Sequence, residues 1–220
     1  MVKKLVTEFI GTMFLVMTIV LAVNGAGPMA PLAIGSVLMV MVYMGGHVSG
    51  AHYNPAVSVA ALVAGKMPAK DFVPYIIAQF AGGCLGSFAG YSVVGHGVGI
   101  APGMGVKLTS AAWVEALFTF ALVLVVLNVA CSKKTTGNWM YGLAIGFTVV
   151  AAAFAAGPYS GGAFNPAVGV GLTLTGTDLN ASWRDVWVYT AAPVIGGVIG
   201  AAVFRMQEQD DPAEAATPAS

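Results

Sequence analysis

Two asparagines open the same tetrapeptide in this chain, Asn54-Pro55-Ala56-Val57 and Asn165-Pro166-Ala167-Val168. Asparagine followed by proline is a helix-start pair. The side-chain oxygen accepts from the free N–H groups of the first turn, and proline suits a position whose own N–H needs no partner. With the oxygen so used, the side-chain NH2 is left as a donor. Two such amides aimed into a lumen would hold a water by its oxygen and turn its hydrogens toward its neighbours, which interrupts a proton wire. Each helix start also carries about +0.5 charge, which opposes cations at the same place. The plainer reading is that Asn-Pro starts two helices in a compact bundle.

Two carboxylates, Glu8 and Glu115, lie inside apolar stretches. Intramembrane ionisable groups are functional candidates by default, and as coupling sites these would suit a proton-linked secondary transporter. A structural role competes with that one. Non-helical backbone at membrane depth must have its N–H groups satisfied, and a carboxylate in each half can accept them. His52 beside the first motif is expected at a pore vestibule, His47 in packing or loop bonding, and His96 in an outer loop. Cys84 and Cys131 sit in apolar runs and read as packing thiols, not a redox pair. No Ser/His/Asp grouping, metal-ligand cluster or phosphate loop is recognisable, so no catalytic residue, metal or cofactor is expected.

These residues need elements to position them, and the composition says of what kind. Of the 220 residues, 58% are hydrophobic and 8% charged, with mean hydropathy +0.84; soluble domains carry roughly 25% charged residues. The zero net charge argues against a nucleic-acid partner. Apolar runs long enough to cross a bilayer fall near Leu5–Val23, Pro31–Val48, Phe72–Val94, Ala111–Cys131, Met140–Ala156 and Trp187–Met206. The first carries Glu8 and lacks a clean cleavage site, so it reads as a span, not a leader. Glycine and alanine are dense in these runs, as close helix packing in lipid requires. The stretch from Asn54 to Gly65 would make a helix of about 18 Å, half a crossing, and a second copy starts at Asn165.

With the N-terminus inside, Lys3, Lys4, Lys66, Lys70, Lys133, Lys134 and Arg205 fall on the cytoplasmic side, and only Lys107 and Arg184 outside. That is a positive-inside bias, with both termini in the cytoplasm of a cell-membrane protein. Trp113, Trp139, Trp183 and Trp187 sit near span ends, as interfacial anchors do. Residues 207–220, with Glu208, Asp210, Asp211 and Glu214, are expected to form a disordered acidic tail.

An internal repeat organises the chain. Leu32–Val59 aligns without a gap on Leu143–Val170, an offset of 111, repeating Leu-Ala-Ile-Gly, Ser-Gly and Asn-Pro-Ala-Val in order. Upstream, Glu8 and Thr12 match Glu115 and Thr119; downstream, Gly82, Gly83 and Gly86 match Gly196, Gly197 and Gly200. Three spans per repeat force the second to enter from the opposite face, giving inverted symmetry. The expected architecture is therefore an all-α membrane protein of one domain, residues 1–206. It has six transmembrane helices plus two re-entrant half-helices, with repeats at about 5–94 and 111–206.

The segment Gly46-His47-Val48-Ser49-Gly50-Ala51-His52-Tyr53-Asn54-Pro55-Ala56-Val57 resembles the first signature of the major intrinsic protein family, the aquaporins and glycerol facilitators. The resemblance runs from Thr7 to about Ala202 and takes in Thr7–Thr12, Gln79, Trp187-Val188-Tyr189 and Pro193. It implies a passive pore in each subunit of a homotetramer, lipid-embedded, passing water or small neutral solutes. It also implies a filter at Ile34, Ala153, Gly162 and Val168. There the sequence departs from the family's habit: Val168 stands where arginine usually follows the second Asn-Pro-Ala, and Ala153 where water channels often have histidine. A small, apolar filter is expected to widen the aperture, to admit glycerol, urea or ammonia beside water, and to weaken cation exclusion. Two readings stay beside this one, the coupled transporter using Glu8 or Glu115 and a non-conducting structural membrane protein with a dewetted filter.

Overall fold

The computed structural model describes residues 1–176 and 179–209. Eight helices carry the fold: α1 (Val2–Gly25), α2 (Ala30–Ser49), α3 (Pro55–Val63), α4 (Ala69–Val94), α5 (Leu108–Cys131), α6 (Tyr141–Ser160), α7 (Pro166–Thr175) and α8 (Leu179–Gln207). Six are long and apolar enough to cross a membrane, and α3 and α7, of 9 and 10 residues, are not. The element order is the expected one.

Two helices extend past the apolar runs expected for them. α6 runs through Pro158 to Ser160 and closes on Gly161, whose N–H bonds the Gly157 carbonyl. A proline near the last turn sacrifices one ladder bond without ending the helix. α8 begins eight residues before Trp187, because polarity at 179–186 ends the hydrocarbon run but not the helix. At its other end α8 includes Gln207, and Glu208 is bonded to Ser132. Those two residues of the expected disordered tail thus belong to the folded body, while 210–220 lie outside the described residues.

The repeat is visible in the packing. α1 lies chiefly on α4 and α5 chiefly on α8, while α2 and α6 cross each other. Each contact is a place where only hydrogen fits. A Cβ on Gly82 or Gly86 would collide with the Phe9 or Met13 carbonyl, and one on Gly196 with that of Ala116. Gly83 backs onto Ala167 of α7 as Gly197 backs onto Ala56 of α3. At the crossing of α2 and α6, a Cβ on Gly35 would stand 2.5 Å from the Gly146 carbonyl oxygen, and one on Gly146 2.6 Å from that of Gly35. Backbones this close gain dispersion contacts that lipid cannot replace.

α3 and α7 point outward from a shared centre. α3 runs toward the end of the molecule where Lys66, Lys133, Lys134 and Arg205 gather. α7 runs the opposite way, and Thr175 near its end bonds Ser87 of α4 through hydroxyls 2.6 Å apart.

Candidate functional site

The loops leading into α3 and α7 are held from behind by the two carboxylates, both fully buried. Glu8 Oε1 accepts from Ser49 Oγ at 2.6 Å and from the His52 N–H at 3.0 Å. Its Oε2 accepts from the Tyr53 N–H at 2.7 Å and from Gln79 Nε2 at 2.8 Å. In the second half, Glu115 Oε1 accepts from Ser160 Oγ at 2.7 Å and the Ala163 N–H at 3.0 Å, and Oε2 from the Phe164 N–H at 2.6 Å. Two tyrosines brace the same loops, Tyr75 donating to the Ser49 carbonyl at 2.8 Å and Tyr189 to that of Ser160 at 2.6 Å.

The loop backbone itself is unusual. Gly50 and Gly161 are left-handed at φ 87° and 92°, and Ala51, Tyr53 and Phe164 hold φ near 50° without being glycine. Left-handed alanine or aromatic residues cost about 1–2 kcal/mol each. The carboxylates and tyrosines over-determine that geometry.

Both asparagines cap their helices as their residue type suggests: Asn54 Oδ1 accepts from the Ala56 N–H and Asn165 Oδ1 from the Ala167 N–H, each at 2.9 Å. Their amide nitrogens do more than was expected of them. Asn54 Nδ2 donates to the Phe164 carbonyl and Asn165 Nδ2 to the Tyr53 carbonyl, each at 2.9 Å. One hydrogen of each NH2 therefore ties the two halves together, and only one remains for a solute.

A cavity of about 30 Å³ passes this junction. That is room for one or two waters. Its wall repeats in pairs at the repeat spacing: Ile34 with Ile145, Ala51 with Gly162, and Val57 with Val168. Of the expected filter residues, Ile34, Gly162 and Val168 line it; Ala153 is half-buried on α6 and is not among the lining residues. Beyond it, toward the lysine-rich end, a vestibule of about 540 Å³ opens between Lys4, Lys66, Lys133 and Asp71.

His52 stands where the two spaces join, lining both, with Nδ1 3.0 Å from Ser58 Oγ. His47 corrects its expectation: it is exposed on the vestibule wall and makes no side-chain hydrogen bond among the described residues. His96 is exposed just past α4, and the four tryptophans are exposed near helix ends. Cys84 and Cys131 are free and half-buried, less enclosed than expected. The sequence reading assigned no contact to Gln79, which donates to both Glu8 and Ser58. Tyr189 enters the resemblance without a role and Tyr75 not at all, although the two recur at the spacing that relates Gly82 to Gly196.

The sequence model of the family described as major intrinsic protein matches residues 1–204. Aquaporin NIP1-1 of Zea mays is 35% identical over 217 residues, covering 93% of this chain and 74% of that protein. Aquaporin NIP1-2 of Arabidopsis thaliana is 33% identical over 227 residues, covering 95% and 75%. Among solved structures, the aquaglyceroporin from Plasmodium falciparum superposes with a TM-score of 0.80 at 22% identity, covering 93% of this chain and 95% of that one. That last likeness is one of fold.

Proposed function

The chain belongs to the major intrinsic protein family, and on that premise we propose that it is a passive transmembrane channel for water and small uncharged solutes. The observation that carries the reading is the cavity at the Asn54/Asn165 junction. Among its lining side chains only His52, Tyr53 and the two asparagines are polar, and none carries a fixed charge. Two helix N-termini converge there, each with about +0.5 charge, so a cation meets both a desolvation cost and a repulsive field. Neutral molecules escape the repulsion and meet a far smaller desolvation cost.

Size orders the solutes. Ile34, Leu38, Ile145 and Val149 wall the space at the junction. A space of about 30 Å³ favours water and ammonia over urea and glycerol, which require these aliphatic side chains to change rotamer. Val168 is the outer constriction residue with Ile34, Ala153 and Gly162. Val168→Arg is expected to cut solute passage sharply, and unchanged passage would show the constriction to lie elsewhere.

The carboxylate geometry speaks against coupled transport. Glu8 and Glu115 are occupied by loop N–H and hydroxyl donors, which leaves them no route to a passing solute. The lysines and arginine gathered around the vestibule support a cytoplasmic orientation for it, with both termini on that side of a cell membrane. Four copies assemble as a homotetramer, one pore in each.

The test is stopped-flow osmotic shrinkage of proteoliposomes against empty liposomes. Fast shrinkage with a low activation energy is the expected result. Shrinkage at the lipid rate would favour the non-conducting reading, and uphill solute accumulation abolished by Glu8→Gln would establish the transporter instead.

A further inference from the structure

The central cavity and the lysine-lined vestibule share three wall residues, His52, Val126 and Ile145. They are the neck between the two spaces. The inverted repeat supplies their counterparts at the opposite end of the cavity, Ala163, Ile19 and Ile34, all of which line it. Both trios contain two aliphatic side chains of similar size. The third place differs, with an imidazole at the inner end and a methyl group at the outer.

His52 is held firmly in that place. Its ring lies 5.4 Å, centroid to centroid, from that of Tyr75, and a Cβ on Gly50 would stand 3.3 Å from its Nε2. Ser58 Oγ accepts from Gln79 Nε2 at 2.8 Å and contacts His52 Nδ1 at 3.0 Å. Among the described residues the Ser58 hydroxyl hydrogen has no other acceptor. It therefore goes to His52 Nδ1, which fixes the neutral tautomer with its proton on Nε2. Nε2 has no partner among the described residues and is left as a donor at the neck.

We propose that this inner neck, not the outer ring containing Val168, sets the solute size limit of the pore, and that His52 selects for solutes carrying a hydrogen-bond acceptor. The proposal rests on the channel reading. An aliphatic ring alone leaves a passing solute short of a bond it had in water. A fixed Nε2–H returns one bond to water, to a urea carbonyl or to a polyol hydroxyl, while its ring narrows the passage to all of them.

The mirrored isoleucines give the test. Ile145→Ala and Ile34→Ala make the same change at the two ends of one cavity. Proteoliposomes of each are compared with wild type for water shrinkage and for glycerol entry, with His52→Ala as a third variant and melting curves to confirm folding. Ile145→Ala and His52→Ala are expected to raise the glycerol-to-water permeability ratio several-fold, and Ile34→Ala to raise it clearly less. A larger rise for Ile34→Ala than for Ile145→Ala would overturn the proposal. If the wild type passes no water, the channel reading fails in that state. Water passage by His52→Ala would then still support the neck, and silence in every variant would overturn both.

Discussion

In the first half of the molecule Glu8 accepts four hydrogen bonds, and in the second Glu115 accepts three. The difference is one residue: Gln79 of α4 has Pro193 of α8 as its repeat counterpart. Ser58, which Gln79 also reaches, has Gly169 as its counterpart, and His52 has Ala163. The parts common to both halves are the carboxylate, the loop serine, the bracing tyrosine and the capping asparagine. All of them satisfy backbone that has left the helix at membrane depth, a need the two halves share. The parts found in one half only form a chain from Glu8 to the pore wall. Symmetry is kept where the fold requires it and broken on the pore wall, where His52 has Ala163 as its counterpart.

Replacing each carboxylate by an amide is the strongest way to break that comparison. In Glu8→Gln and Glu115→Gln the new NH2 must face a loop N–H, leaving a buried donor unsatisfied at about 1–3 kcal/mol. Glu8→Gln also disturbs the bond to Gln79, adding about 1 kcal/mol. Both variants should melt below wild type in detergent, Glu8→Gln the lower. Equal melting points would mean that Gln79 does not help to hold the first loop.

The asparagines should behave in the opposite way. Each loses a cap, worth about 0.5–2 kcal/mol, and a bond to the other half, worth about 0.5–1.5 kcal/mol. Because both geometries repeat at 2.9 Å, Asn54→Ala and Asn165→Ala should be destabilised alike, by about 2 kcal/mol in chemical denaturation. A clear inequality would show that one half carries the junction.

A smaller asymmetry lies one residue earlier. Tyr53 donates to the Met41 carbonyl at 2.9 Å and fills a slot in which a Cβ on Gly11 or Gly45 would collide with its ring or hydroxyl. Phe164 instead packs on Phe118, rings 5.7 Å apart, and Gly45 has Ala156 as its counterpart. Phe164→Tyr should cost about 1–3 kcal/mol by overpacking, and Ala156→Gly should restore part of it. Tyr53→Phe should cost about 1 kcal/mol. Failure of the Ala156→Gly rescue would place the strain elsewhere.

These contacts divide what the sequence made legible from what it hid. The caps were legible because Asn-Pro acts on its own next two residues, and the spans because length and apolarity are local properties. The structural use of Glu8 and Glu115 followed from one general need of buried backbone. The cross-bonds from Asn54 to Phe164 and from Asn165 to Tyr53 join positions 110 and 112 apart, so no window of sequence contains them. His47 illustrates the same limit. Its neighbourhood in sequence says loop, but only the splay of the helices around it decides that it faces the vestibule.

The ends of α4 and α8, partners under the repeat, give the smallest expected effect. α4 stops on Gly95, left-handed at φ 84°, whose N–H bonds the Tyr91 carbonyl. α8 stops at a latch: Ser132 Oγ donates to Glu208 Oε1 at 2.5 Å, and Lys66 Nζ stands 3.7 Å from Oε2. The Ser132 hydroxyl, with a lesser share from the Lys133 N–H and Lys66, holds the Glu208 carboxyl below the usual carboxylate range. A lowered folded pKa means that the latch contributes at pH values above the ordinary carboxylate range and is lost as pH falls through the lowered value. At neutral pH, Glu208→Gln should therefore speed amide exchange at Lys133 and Lys134 modestly over wild type, and leave Gly95 unchanged. In acid that difference should vanish, since the wild-type carboxyl is then protonated as well. A difference of the same size at both pH values would mean that shape, not charge, holds α8 to the loop after α5.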